Sequence, residues 1–147
     1  MSDQSPARMV EPAFQPLFGV RVVDFSKILA GPLCTQYLAD LGAEVVKVEP
    51  LRGDDTRAWP PFSGGVGAIF TAVNRNKRGI AVDLKQPAGL AIAHELASKA
   101  DVAVESFGPG VADRLGIGWG RLSELNPRLV YASISGYGTQ EIGRAHV

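Results

Sequence analysis

The chain has 147 residues, 46% of them apolar, with fifteen basic and fifteen acidic side chains. That length allows one domain with a real core, the balanced charge removes any whole-chain argument for nucleic acid, and no apolar run approaches a membrane span. The single Cys34 cannot form an internal disulfide and the N-terminus has no apolar signal core, so a reducing cytoplasm is the expected setting.

Met1 to Pro16 is polar and Pro-rich and reads as a mobile arm. Val20, Val22 and Val23 lead into Asp24-Phe25 as a strand. Gly31-Pro32 breaks it, and Pro32 suits a helix's first turn, where its missing N–H needs no partner. Leu33, Gln36, Tyr37, Asp40 and Leu41 follow at helical spacing, and Gly42 is placed to end the helix. Glu44 to Glu49 returns as a second strand, predicted to lie parallel to the first through a βαβ crossover. Pro50 to Gly67 carries no clear period and reads as a long loop, of a length that is usually functional or disordered. A short helix over Ala68 to Asn74 is followed by a turn at Asn76 to Gly79 and a third strand over Ile80 to Leu84. A second long helix covers Ala88 to Lys99, with Leu90, Ala93, Leu96 and Ala97 on one face. Asp101 to Glu105 is a fourth strand, Val111 to Leu115 and Trp119 to Leu125 are short helices, and Leu129 to Ser133 is a fifth strand. This alternation predicts an α/β fold, a Rossmann-like parallel sheet with helices on both faces. Glu141 to Val147 fits neither period and back-translates as the opening of a common sequencing adapter. It is expected to be a non-native tail, and His146 is left out of site reasoning.

In such sheets ligands sit beyond the C-terminal strand ends. The loops expected there are Ser26–Pro32, Pro50–Gly67, Lys85–Pro87, Ser106–Gly110 and Ser135–Gly138. The dinucleotide fingerprint G-x-G-x-x-G is absent after the first strand, so Glu49 is a weak ribose ligand, and there is no Walker A motif. Arg75, Lys77 and Arg78 read as a solvated turn or, more sharply, as a phosphate or carboxylate contact, with the turn favoured. Lys85 is expected to end the third strand on the loop-bearing edge, and Arg114 either caps a carbonyl or meets a phosphate. His94 reads as surface or half-buried, and Cys34 as a small core side chain. Trp59 and Phe62 wall a pocket or pack the long loop down. No His/Cys set has metal-ligand spacing, and no Ser/His/Asp order is evident.

Together these segments resemble the N-terminal part of a family III CoA-transferase, the group that includes formyl-CoA transferase, carnitine CoA-transferase and α-methylacyl-CoA racemase. The resemblance rests on GVRVVDFSKILAGP, LADLGAEVVKVE, GDDTR, NRNKRGIAVDLK, ADVAVESFGPG, ELNPRLVYASISGYG and the single Arg114, and covers residues 17–140 as a partial large domain. It implies an interlocked homodimer that moves CoA between carboxylic acids. A catalytic Asp forms an anhydride and then an aspartyl-CoA thioester, while the racemase branch exchanges an α-proton through a His and an Asp. It implies acyl-CoA and a small carboxylic acid as substrates, with no tightly bound cofactor and no metal. By position, CoA contacts are expected from Leu29, Ala30, Val82, Asp83, Leu84, Lys85, Ser106, Phe107, Gly108 and Arg114. Leu29 stands where formyl-CoA transferase has Gln. Pro50 replaces a nucleotide-gripping Arg, with Arg52 a substitute, and Ser106 replaces an Asn. The family's catalytic Asp follows the Gly-Tyr-Gly loop, so the chain is expected to be an N-terminal fragment without turnover. A non-catalytic CoA-binding module is the alternative from another class.

Overall fold

Two Val-rich runs set the frame, because successive strand residues point to opposite sides of a sheet. The computed structural model describes residues 14–136 and Gly138. The expected arm falls outside them except for Phe14 to Pro16, and the tail over 141–147 falls outside altogether. Strand β1 (Arg21–Asp24) pairs in parallel with β2 (Glu44–Glu49), and helix α1 (Ala30–Asp40) connects them. A short 3-10 turn (Asp55–Ala58), a small hairpin of β3 (Phe62–Ser63) and β4 (Val66–Gly67), and helix α2 (Ala68–Asn74) lead to β5 (Lys77–Ala81). Helix α3 (Pro87–Ser98), strand β6 (Val102–Glu105), helices α4 (Val111–Arg114) and α5 (Trp119–Leu125), and strand β7 (Val130–Ser133) complete the chain order.

The main sheet has five strands in the order β5-β2-β1-β6-β7, all paired in parallel. The chain therefore builds outward from β1 on one side, then crosses back to β6, so the order reverses between β1 and β6.

Alternation gives the sheet two different faces. Val23, Phe25, Val48 and Val82 pack with Ala93 and Ala97 of α3, Ala103 of β6, and Ile117 and Leu122. The alanines bring α3 close to the sheet, which a larger side chain would hold off. On the opposite face Val22, Val45 and Val104 meet Ala39 of α1. Helices thus cover both faces, as the sequence predicts.

Three local readings need correction. The third main-sheet strand begins at Lys77 and ends at Ala81, so Lys77 to Gly79 lie in the strand and Lys85 lies beyond its end. The physical reason is pairing with β2: Lys77 sits opposite Val45 and Arg78 opposite Val46. On α1 the buried face is Gly31, Pro32, Thr35, Gln36 and Ala39, leaving Tyr37 and Leu41 exposed. Cys34 is exposed as well, not a core residue. The sheet under α1 is polar at its C-terminal end, so Thr35 is the side chain that fits there. Finally, the 50–67 stretch is not a featureless loop but holds the 3-10 turn and the hairpin.

Candidate functional site

At the C-terminal ends of β1, β2 and β5 a cavity of about 680 Å³ opens, a size suited to a small-molecule ligand. Phe25, Val48, Val82, Leu84, Phe107 and Leu115 give it an apolar floor. Lys27, Arg52 and Lys85 give it cations, all three exposed to solvent. The guanidinium of Arg52 is paired only loosely, 3.3 Å from Asp55, with its side chain 75% exposed. The rim also carries the carboxylates of Asp55 and Asp83, beside Arg52 and Lys85, so an apolar floor lies under three cations and two acids. The cations are the groups that would take a phosphate- or carboxylate-bearing end of a ligand.

The walls are held by buried charge. The Asp24 Oδ1 accepts the Ser26 N–H at 2.9 Å and the Ser26 hydroxyl. Its Oδ2 accepts Thr35 Oγ1 at 2.5 Å and the Lys77 ammonium at 3.0 Å. Lys77 also donates to the carbonyl of Pro32 at 2.7 Å and to Asn74 Oδ1 at 3.0 Å. Burial pulls the Lys77 pKa below the ordinary lysine value, and the Asp24 charge offsets only part of that. Beside it, Lys47 donates to the Ser26 carbonyl at 2.8 Å and pairs with Asp54 at 3.1 Å. The next residue on that face of β2, Glu49, receives a fork from Arg57 at 2.7 Å on each oxygen and the Asp54 N–H at 2.9 Å. Arg57 in turn lies over the Phe70 ring, 3.8 Å from its centre, a cation–π contact.

Burial raises the carboxyl pKa of both Glu49 and Asp54, but their hydrogen bonds prevail. Arg57 and the Asp54 amide hold Glu49 below the usual range, and Thr56 and Lys47 do the same for Asp54. On the other side of the sheet switch, burial pushes the Tyr131 phenol up, helped by the Glu105 and Asp113 charges.

Of the residues expected to touch a ligand, Val82, Asp83, Leu84, Lys85 and Phe107 line the cavity. Asp83 Oδ1 accepts the Lys85 N–H at 2.9 Å and so folds this loop on itself. Gly89 lies on the Asp83 carbonyl so closely that a Cβ would overlap it, which fixes the start of α3 against the loop. Leu29, Ala30, Ser106, Gly108 and Arg114 share the loop-bearing edge but do not line the cavity. Leu29 and Ala30 start α1, both exposed. Ser106 Oγ accepts the Lys27 N–H at 3.0 Å and ties the loops after β1 and β6 together. The Gly108 carbonyl accepts the Val111 N–H, and Arg114 lies exposed on α4 next to cavity-lining Leu115.

Sequence reading put the loops that hold Lys27 and Arg52 at this edge, but missed the buried wall of Lys47, Glu49 and Asp54. The signal was there in the alternation of EVVKVE, which puts Lys47 and Glu49 on one face. The basic cluster divides: Arg75 and Arg78 stay exposed, as a solvated run would, while pairing with Asp40 at 2.6 Å and Glu44 at 2.9 Å, and Lys77 is buried in β5 against Asp24. Glu49 is committed to Arg57 and is no ribose ligand in this arrangement. His94 is half-buried, its Nε2 2.7 Å from the Gly116 carbonyl, and Trp59 and Phe62 are exposed and outside the cavity. Among the described residues no His, Cys, Asp or Glu group could hold a metal ion, and no helix is long and apolar enough to cross a membrane.

Comparison with known proteins gives consistent matches. The pattern that defines CoA-transferase family III matches residues 17–146. Human succinyl-CoA:glutarate CoA-transferase is 49% identical over 126 residues, 84% of this chain and 29% of that protein. The formyl-CoA:oxalate CoA-transferase of Bradyrhizobium diazoefficiens is 48% identical over 124 residues, 83% of this chain and 29% of that one. The crystal structure of a CAIB/BAIF family protein from Brucella suis superposes with a TM-score of 0.82 at 42% identity, covering 86% of this chain and 35% of that one. The chain therefore spans about a third or less of the length of these relatives.

Proposed function

The chain belongs to CoA-transferase family III, and from that premise we propose that it forms the CoA-facing part of an acyl-CoA:carboxylate CoA-transferase. CoA is a substrate here, not a resident cofactor, and a small carboxylic acid is the acceptor. The observation that carries the reading is the cavity itself: an apolar floor and a rim of Lys27, Arg52 and Lys85 at the C-terminal strand ends. The proposed CoA contacts are Leu29, Ala30, Val82 to Lys85, Ser106, Phe107, Gly108 and Arg114, joined by Lys27 and Arg52. Leu29, in place of a Gln, argues against oxalate as the acceptor. The relatives compared are named for CoA transfer, which favours transfer over the α-proton exchange of the racemase branch.

The proposed chemistry runs through an aspartyl-CoA thioester, and the attacking carboxylate is not one of the described aspartates near the cavity. Asp24 and Asp54 are held in buried ion pairs, Asp83 caps the Lys85 amide, and Asp55 pairs with Arg52. The carboxylates of Asp24 and Asp54 are too firmly engaged to act as nucleophiles, and the family resemblance places the reacting aspartate after the Gly136–Gly138 loop, not at Asp55 or Asp83. Assembly as an interlocked homodimer belongs to this reading through the family resemblance. A cytoplasmic setting accords with a lone exposed Cys34.

The test is a calorimetric titration of the 147-residue chain with CoA and, separately, with NAD. Saturable binding of CoA alone is expected, together with no CoA transfer between acids. Equal binding of NAD, or turnover that Asp83→Asn abolishes, would overturn the reading.

A further inference from the structure

Ile28 has a backbone φ of +70°, in the left-handed region that a β-branched residue rarely adopts. Such strain persists only where the surroundings hold it in place. Here the holding group is visible. The Ile28 N–H donates to Asp54 Oδ2 at 3.2 Å, and the same oxygen is 3.1 Å from the Lys47 ammonium. Lys47 also donates to the Ser26 carbonyl at 2.8 Å. Both charged side chains are nearly fully buried, at 2% and 1% exposure. Asp54's other oxygen, Oδ1, is taken by the Thr56 N–H at 3.0 Å and hydroxyl at 2.7 Å. The two carboxylate oxygens thus serve two different loops.

We propose that the buried Lys47–Asp54 pair is the positioning device of the cavity, a clamp that fixes residues 26–28 in their strained path against residues 53–56, so that two loops make one rigid wall. Neither side chain is asked to touch the reacting atoms. The clamp acts through the backbone of Ile28 and Ser26, on either side of Lys27, and through the start of the 3-10 turn.

Asp54→Asn tests it, because an amide keeps the shape but has one oxygen and cannot accept from both loops. Amide hydrogen exchange on the full chain is the first readout. Exchange at residue 28 should accelerate about tenfold or more, while the Phe25 amide, bonded to the Val104 carbonyl, keeps its protection. The second readout is CoA affinity, and this arm rests on the functional reading above. Asp54→Asn and Lys47→Met should each weaken CoA binding about tenfold. In an Ile28→Gly background, where the left-handed path carries no penalty, the loss should shrink to about threefold or less. A merely structural role would give the same loss in both backgrounds, and that result overturns the proposal. If the unsubstituted chain fails to bind CoA, the functional reading fails, while the exchange result still decides the clamp. Should the single variants also lose Phe25 protection, Ile28→Gly alone decides: the residue 28 amide stays protected if the clamp exists, and exchange at the rate of an open loop refutes it.

Discussion

The two faces of the central sheet are made by alternate residues of the same strands, yet toward the C-terminal strand ends they are held by different forces, the second face passing from the apolar patch of Val22, Val45 and Val104 to buried charge. Val23, Phe25 and Val48 look toward α3 and α5 and pack as an apolar layer with Ala93, Ala97, Ile117 and Leu122. Asp24, Lys47 and Glu49, on the alternate positions, look toward α1, α2 and the 50–57 segment and hold them by buried charge. Apolar packing is non-directional and gives way gradually when a methyl group is lost. A buried ion pair is directional, and losing one partner leaves a charge with no water to replace it. The cavity takes its floor from the apolar face and its wall from the less forgiving, charged one.

The largest effect is expected where that contrast is sharpest. Lys77→Met leaves Asp24 charged, buried and short of its cation, and should lower unfolding stability by ~3–5 kcal/mol in urea denaturation. A loss no greater than that of a conservative apolar change would break the contrast.

Acidification attacks the same face without mutation. Glu49 and Asp54 titrate below their ordinary values in the folded chain. Their contribution is complete above the ordinary carboxylate pKa values and is lost as pH falls through the depressed ones. The urea midpoint should therefore fall on the acid side of that range, and a level midpoint there would contradict the account.

Gly89→Ala probes the start of α3, where the helix meets the Asp83 loop. It should help α3 by propensity, but its Cβ meets the Asp83 backbone carbonyl, so a net loss of ~1–3 kcal/mol is expected. The displaced 83–85 loop should also weaken CoA binding. On the apolar face, Ile117→Val should cost only ~0.5–1.5 kcal/mol despite complete burial. Smallest of all, Lys99→Ala removes an exposed helix pair with Glu95 and should change stability by less than ~0.5 kcal/mol.

The apolar face was easy to read in the sequence, because its signals are local. Ala93, Ala97 and Leu90 announce themselves at helical spacing, and α2, α5 and β2 fall where the periods put them. The charged face was not, because Lys77 meets Asp24 across 53 residues of sequence. Nothing near Lys77 distinguishes it from the exposed Arg78 beside it. The same reason explains Cys34 and Tyr37: which side of α1 is buried depends on what lies on the sheet beneath, and that is Asp24 with Thr35. Of the cavity lining, Val82 to Lys85 and Phe107 were named through the family resemblance, whereas the buried pairing of Lys47, Glu49 and Asp54 needed the fold.

In the proposed function CoA enters the cavity between the loops after β1, β2 and β5. An amide chemical-shift map of the chain titrated with CoA tests it directly. Perturbations are predicted to cluster at residues 26–30, 50–55, 82–85 and 106–108. No saturable change, or a cluster at the groove between Arg21, Ile92 and Lys99 on the far edge of the sheet, would contradict it.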